Sequence, residues 1–337
     1  MEKNEKIADQ SSGQEFREGV TRSRHLPPDV IKRLTRINAF KSSLAIAQTV
    51  GLTGLAIGLS LYFWTPWVVI PCLLFIATRQ QACFVIAHDA AHYRLFKARG
   101  LNDLVGRLIA SPVGISICSY RILHRLHHNH LYGRQDPDVP LHGGYPRGRT
   151  YLAKKLLKDL MGGTAFKTFA YFFGAPAENS ELIEGDNKKL RPLDDTSPIL
   201  RKAANRDRWS IIAFHLLAPV AAYSTGYLLE YLVLWILPLI TFLQPILRFR
   251  AICEHGAVDD LKSPVRASRT NTGPFWIRFL FFPHNVNYHI EHHLYPSIPH
   301  YNLAECHKEM MERGFLDQAE VRDIRATARL IVGSATS

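Results

Sequence analysis

An all-α integral membrane protein, with four spanning helices arranged in two hairpins, is the fold this sequence predicts, and three observations lead there. The chain of 337 residues is 47% hydrophobic yet carries 41 Lys and Arg. None of those cations falls within 42–78 or 209–247. Each of these windows has room for two helices of about 20 apolar residues and a tight turn. Neither expected turn, Phe63-Trp64-Thr65 or Leu229-Glu230, carries a positive charge.

Taken in order, residues 1–41 read as a polar tail followed by a basic amphipathic stretch that opens at His25-Leu-Pro-Pro. The N-terminal residues lack the apolar core of a cleavable signal peptide. The membrane domain is expected over 42–310, with spans at about 42–62, 66–87, 209–228 and 231–249. Gly51, Gly54 and Gly58 have the spacing of close helix packing in a bilayer. Tyr151 to Phe173 sets four lysines among Leu, Phe and Tyr, the pattern of an interfacial helix or of an amphipathic helix on the soluble part. The stretch from Glu178 to Arg208 reads as a charged surface excursion. A charged helix is expected from about Asn302 to Leu330, so that 311–337 form a C-terminal cytoplasmic helix and tail.

Cations are retained on the cytoplasmic side, so both hairpins enter from the cytoplasm and return to it. Multi-pass insertion with cytoplasmic termini follows, with a bacterial inner membrane as the expected setting. The net charge of +12 then lies on one face, against anionic headgroups and an acidic protein partner. Nucleic-acid binding is set aside, because no motif for it appears. Cys72, Cys83, Cys118, Cys253 and Cys306 form no CxxC pair, which argues against a disulfide framework or an iron–sulfur module.

Three histidine clusters carry the chemistry. His88 and His92 are four residues apart and share a helical face. His124, His127 and His128 form HxxHH, and so do His289, His292 and His293. In each HxxHH the last two rings diverge by roughly a third of a turn, which suits two neighbouring metals better than one. Neutral imidazole binds Fe, Zn, Cu or Ni. A structural zinc takes four ligands, so eight histidines are too many for one ion. His255, just beyond the fourth expected span, is a ninth candidate. An even number of crossings separates the clusters, so all can meet on one side of the membrane. Asp89, Glu254 and Glu291 lie next to ligands in sequence and could orient them, or be ordinary solvated or salt-bridged acids. His25, His142, His215 and His307 read as ordinary core or surface histidines.

With these motifs the chain resembles the membrane fatty acid desaturase and hydroxylase superfamily over about residues 40–310. The residues carrying the resemblance are the three clusters, Glu254-His255-Gly256, Asp136-Pro-Asp138, the Asn287-Tyr and Leu-Tyr-Pro296 flanks of cluster three, and Pro299-His-Tyr-Asn302. The resemblance implies a cytoplasmic helical cap holding two non-haem Fe ions, with all nine histidines as ligands. It implies O2 as co-substrate, a lipid or acyl substrate, and a separate ferredoxin- or cytochrome-type electron donor. Some branches place an Asn one turn before the isolated histidine to hold a metal-bound water. Ala251 stands there, and Glu254 or an asparagine near cluster three could take that part. The first functional expectation is acyl desaturation. The alternative is oxygen insertion into a carotenoid, an alkane or a small amphiphile. Metal transport is disfavoured, because only His215 lies well inside an expected span.

Overall fold

The computed structural model describes residues 26–133, 136–174 and 198–333. The expected N-terminal tail with His25, and most of the charged excursion, lie outside the described residues. In chain order the helices begin with α1 (Pro28–Leu34), α2 (Ala39–Tyr62), α3 (Pro66–Ala91), α4 (Arg99–Ala110) and α5 (Ile117–Asn129). The short α6 (Val139–His142), α7 (Gly148–Leu160), α8 (Ala165–Phe173), α9 (Pro198–Ser224) and α10 (Leu228–His255) follow. A strand β1 (Thr270–Thr272), α11 (Phe275–Phe281), α12 (His289–Leu294), α13 (Leu303–Glu312), β2 (Val321–Asp323) and α14 (Ile324–Ile331) complete the chain. Among the described residues the only β structure is the parallel pair β1–β2, in which Thr270 faces Val321.

α2, α3 and α10 are long and apolar enough to cross a membrane. α2 starts at Asn38, whose side chain accepts the Lys41 N–H at 3.2 Å and caps the first turn. Its buried residues are small, Ala45, Thr49, Ala56 and Ser60, and Ala56 packs with Leu73 and Ile76 of α3. The three glycines that suggested close packing are on another face: a Cβ on Gly51, Gly54 or Gly58 would meet nothing within 4 Å. Among the described residues they pack against no helix. α3 opens on Pro66, suited to a first helical turn. From Ile76 to Ala91 it is buried without interruption, making it the hub of the structure.

That hub contains a polar run the hairpin reading passed over. Arg79, Gln80 and Gln81 lie half-way along α3 and are at most 1% exposed. An arginine in mid-membrane costs about 2.5–3.5 kcal/mol or more unless its donors are satisfied. Here its guanidinium donates to the Phe279 carbonyl at 2.5 Å and sits over the Phe279 ring. Gln80 donates to the Trp235 carbonyl at 2.9 Å, beside the π-helical stretch Leu232–Ile236 of α10. Gln81 donates to the Phe281 carbonyl at 2.8 Å. The three side chains thus tie α3 to α10 and α11.

The second hairpin differs in detail from expectation. α9 begins eleven residues before Trp209, and its turn to α10 comes at Gly226, which adopts φ +81. α9 is less apolar than the other three, with charged residues in its first half and His215 and Pro219 beyond. Asp207 is 1% exposed and accepts from Arg107 at 2.7 Å and from the Cys118 N–H at 2.8 Å. A carboxylate at the start of α5 is favoured there by the helix dipole. The single C-terminal helix expected from Asn302 to Leu330 is broken. α13 ends at Glu312, Gly314 takes φ +72, and the chain returns through β2 before α14. Likewise 151–173 is two helices, parted at Gly162 with φ +76.

Exposed apolar side chains are concentrated on the long helices, among them Leu44, Leu55, Trp67, Leu216, Val220 and Leu229. Such a surface marks contact with lipid rather than water. Exposed Tyr62, Trp64 and Trp67 surround the first turn, and Tyr223 and Tyr227 the second. Aromatic residues concentrate at membrane–water interfaces, which agrees with the two turns lying at one level.

Candidate metal centre

Cluster one ends the buried helix α3, where its geometry is fixed by side chains that take up the last carbonyls. Arg121 donates to Ala91 and Ala90 at 2.9 and 3.1 Å, and Asn102 donates to Ala90 at 2.9 Å. Cluster two lies on α5, whose N-cap Ser116 accepts the Ser119 N–H at 3.2 Å. His255 is the last residue of α10. It is followed by Gly256, where a Cβ would sit 2.7 Å from the Ile252 carbonyl oxygen. Only glycine allows the chain to leave the helix so tightly. Cluster three makes up most of α12.

All nine predicted histidines come together, in two groups. In the first, the Nε2 of His88 is 2.8 Å from that of His124 and 3.0 Å from that of His292. His128 adds an Nε2 2.9 Å from both His124 and His292. His92 joins this group, its ring 5.0 Å from those of His124 and His292 and its buried Nε2 without a hydrogen-bond partner. In the second, His255 Nε2 is 3.2 Å from that of His127 and 2.8 Å from that of His289, and His293 Nε2 is 3.2 Å from that of His289.

The division follows helical geometry. On α5, His124 and His128 serve the first group and His127 the second. On α12 the arrangement is inverted: His289 and His293 serve the second group and His292 the first. Residues four apart point the same way and the residue three along diverges, so each HxxHH bridges both groups.

This convergence is not a hydrogen-bond network. A neutral imidazole has one N–H, so five Nε2 atoms cannot satisfy one another. A shared ion accounts for the distances. With a metal–nitrogen bond of about 2.1 Å, ligands at right angles stand about 3.0 Å apart and tetrahedral ones about 3.4 Å. The observed 2.8–3.2 Å lies close to these values, so each group is able to bind a metal. Burial lowers the pKa of His289, His292 and His293 well below the ordinary value, leaving neutral rings suited to ligation. His127 is the exception: burial opposes its charged form, but Asp136 and Asp138 outweigh that and raise it to about 9.

The carboxylates around the groups only partly match expectation. Asp89 is 3.6 Å from His88 Nδ1, and its other oxygen accepts from His300 Nδ1 at 2.7 Å. Glu254 is 2% exposed, with Oε2 3.9 Å from His289 Nε2 and Oε1 without a hydrogen-bond partner. Glu291 holds no ligand histidine in any described contact. It accepts from Thr270 at 2.6 Å and pairs with His307 at 2.5 Å. The carboxylate that does hold one of the clustered histidines is Asp136, 2.9 Å from His127 Nδ1. It also accepts the Asp138 and Tyr132 N–H groups, which fixes the imidazole's tautomer and direction. Asp136 stood in the sequence only as part of a motif.

His142 is a second residue that sequence reasoning missed. It is 2% exposed, its ring lies 4.9 Å from that of His255, and neither ring nitrogen has a partner. With His127 and Asp136 it forms a third cluster of possible ligands. Asp136 already occupies His127 Nδ1, so this cluster is best described as an outer support of the second group. His307, read as an ordinary histidine, is satisfied by Glu291.

Comparison with known proteins agrees with this geometry. The sequence description of the fatty acid desaturase family matches residues 62–323. A dihydrorhizobitoxine desaturase of Bradyrhizobium elkanii is 28% identical over 73% of this chain and 68% of its own length. An sn-1 oleoyl-lipid 12-desaturase of Anabaena variabilis is 25% identical over 84% of this chain and 81% of its own. A chloroplastic omega-6 fatty acid desaturase of Glycine max is 24% identical over 85% and 65%. The match takes in all nine histidines, and the chain is a member of the fatty acid desaturase family, a membrane-associated oxidoreductase with histidine clusters able to bind metal.

Proposed function

We propose that the nine histidines hold two Fe ions and that the protein desaturates a fatty acyl chain carried by a lipid. The convergence of nine ring nitrogens into two adjoining groups is the observation that carries this reading. Iron would supply O2 activation and the oxidising power for an unactivated C–H bond. The balance is one CH2–CH2 unit, one O2, two electrons and two protons giving one CH=CH unit and two waters.

The protein's part is positional. His88, His92, His124, His128 and His292 would hold one ion, and His127, His255, His289 and His293 the other. Asp136 keeps His127 directed inward, and Arg121 with Asn102 holds the end of α3 in place. An apolar cleft of about 620 Å³ is lined by Leu74, Phe75, Leu156, Phe249 and Phe281. It has the size and character suited to a lipid chain. Electrons come from a separate ferredoxin- or cytochrome-type donor, attracted by the basic face. α2, α3, α9 and α10 form four crossings, with the histidines and both termini on the cytoplasmic side.

The reading is tested on purified protein supplied with an electron donor and lipid. About two irons per chain and a product lighter by two hydrogens are expected. A product heavier by one oxygen would assign hydroxylation instead. Full occupancy by another metal, with far less than two irons, would overturn the proposal.

A further inference from the structure

A cleft of about 520 Å³, lined by none of the nine clustered histidines, lies between α2 and α11. Its walls are two helical faces: Lys41, Leu44, Ala45 and Gln48 from α2, against Phe275, Arg278, Phe279 and Phe282 at the end of the chain's aromatic segment. Both sets recur at i, i+3, i+4 and i+7, so each is one continuous stripe. The floor is polar, with His284, Asn285, Asn287, His300 and Tyr301.

Three properties make this more than a surface groove. The lining contains two cations, Lys41 and Arg278, and no carboxylate. Lys41 lies over the Tyr301 ring at 5.3 Å, and the buried Arg278 Nε has no hydrogen-bond partner. The floor is also held in a costly conformation. His284 and Asn285 take φ +55 and +59, a region that costs non-glycine residues energy and is retained mainly at functional positions. This turn brings His284 Nε2 to 2.8 Å from Thr49 on α2. The third property is level. Phe40, Phe275 and Trp276 around the cleft are exposed, as expected of residues at the membrane–water boundary.

We propose that this cleft binds the phosphate headgroup of an anionic lipid, with Lys41 and Arg278 as its charge partners. The inference rests on the membrane placement of α2 and α11 and not on the reaction performed at the histidines. Phosphate recognition by an arginine fork and a lysine fits the donor set, and the apolar stripes below them fit the start of the acyl chains. The floor adjoins the first histidine group. The His284 ring is 5.2 Å from that of His300, whose Nδ1 is 2.7 Å from Asp89, the neighbour of His88. A lipid anchored here stands one contact chain away from the proposed metal centre.

The test is retention of phosphatidylglycerol against phosphatidylcholine by the full chain, read by native mass spectrometry, with inorganic phosphate as competitor. Phosphatidylglycerol should be retained preferentially. The pair Lys41→Gln with Arg278→Gln should weaken it about tenfold, phosphatidylcholine being unaffected. Lys41→Arg with Arg278→Lys should restore most of the loss, and an unchanged metal content in both variants verifies folding. Lys154→Gln with Lys158→Gln on α7 should leave retention as it was. Equal losses for both lipids, no loss, or an equal loss from the α7 pair would each overturn the site. Displacement by millimolar inorganic phosphate would assign it to a free anion instead.

Discussion

The two histidine groups are built from the same motifs yet are not equivalent. The first has five histidines, all three clusters contribute to it, and its nearest carboxylate, Asp89, is engaged by His300. The second has four, one of them the isolated His255, and beside it is the buried Glu254, whose Oε1 is 3.3 Å from Arg250 Nε and whose Oε2 is 3.9 Å from His289 Nε2. On the proposed two-ion reading, the difference would give a nearly saturated position and a less saturated one with a carboxylate close by. Glu254 is thus the residue best placed to take the part left open by Ala251.

The largest effect should come from removing a ligand from either group. His292→Ala withdraws the ring whose Nε2 lies within 3.2 Å of those of His88, His124 and His128. His255→Ala withdraws the isolated ligand of the second. Activity should fall more than 100-fold in both, beyond the range typical of losing an outer partner. Iron analysis should show each variant losing mainly one ion. Loss of both irons from either variant would erase the proposed distinction.

A smaller loss is expected from Asp136→Asn, which keeps the shape but weakens the hold on His127. Metal affinity should drop about 10- to 100-fold at the second group, with the first retained. Titration with iron followed by absorbance would resolve the two steps; one unaltered pair of steps would show that Asp136 does not support His127.

The finest distinction is drawn by Glu254→Gln. If the carboxylate serves the second group, turnover should fall about tenfold with both irons still bound. A drop in melting temperature with turnover preserved would show instead that Glu254 only balances Arg250, 3.3 Å away.

Eight of the nine converging histidines were legible from helical spacing, which survives in sequence, and His255 from its place just beyond the fourth expected span. Their outer partners were not, because nearness along a helix is a poor guide to direction. Glu291 follows His289 by two residues, which on a helix places it on the opposite side; it meets Thr270 and His307 there. Asp136 reaches His127 through the turn after α5, nine residues on, and no periodicity announces it. His142 was dismissed as a lone histidine, since only tertiary folding brings it against His255. The three long apolar helices α2, α3 and α10 could be read from the absence of charge, whereas the early start of α9 could not. Its charged first half is stabilised by a buried pair, Asp207 with Arg107, from a distant segment. The break in the C-terminal helix did have a local sign in Gly314, placed where a helix-ending glycine belongs.

The inverted use of HxxHH on α5 and α12 has a thermodynamic consequence. Each helix lends rings to both groups, so an ion at one position orders side chains that the other requires. Loading should therefore be cooperative, and by reciprocity the second ion must strengthen the first by the same factor. On the proposed two-ion reading, a variant that empties one group should therefore also hold the remaining ion more weakly, while the two loading steps stay distinguishable.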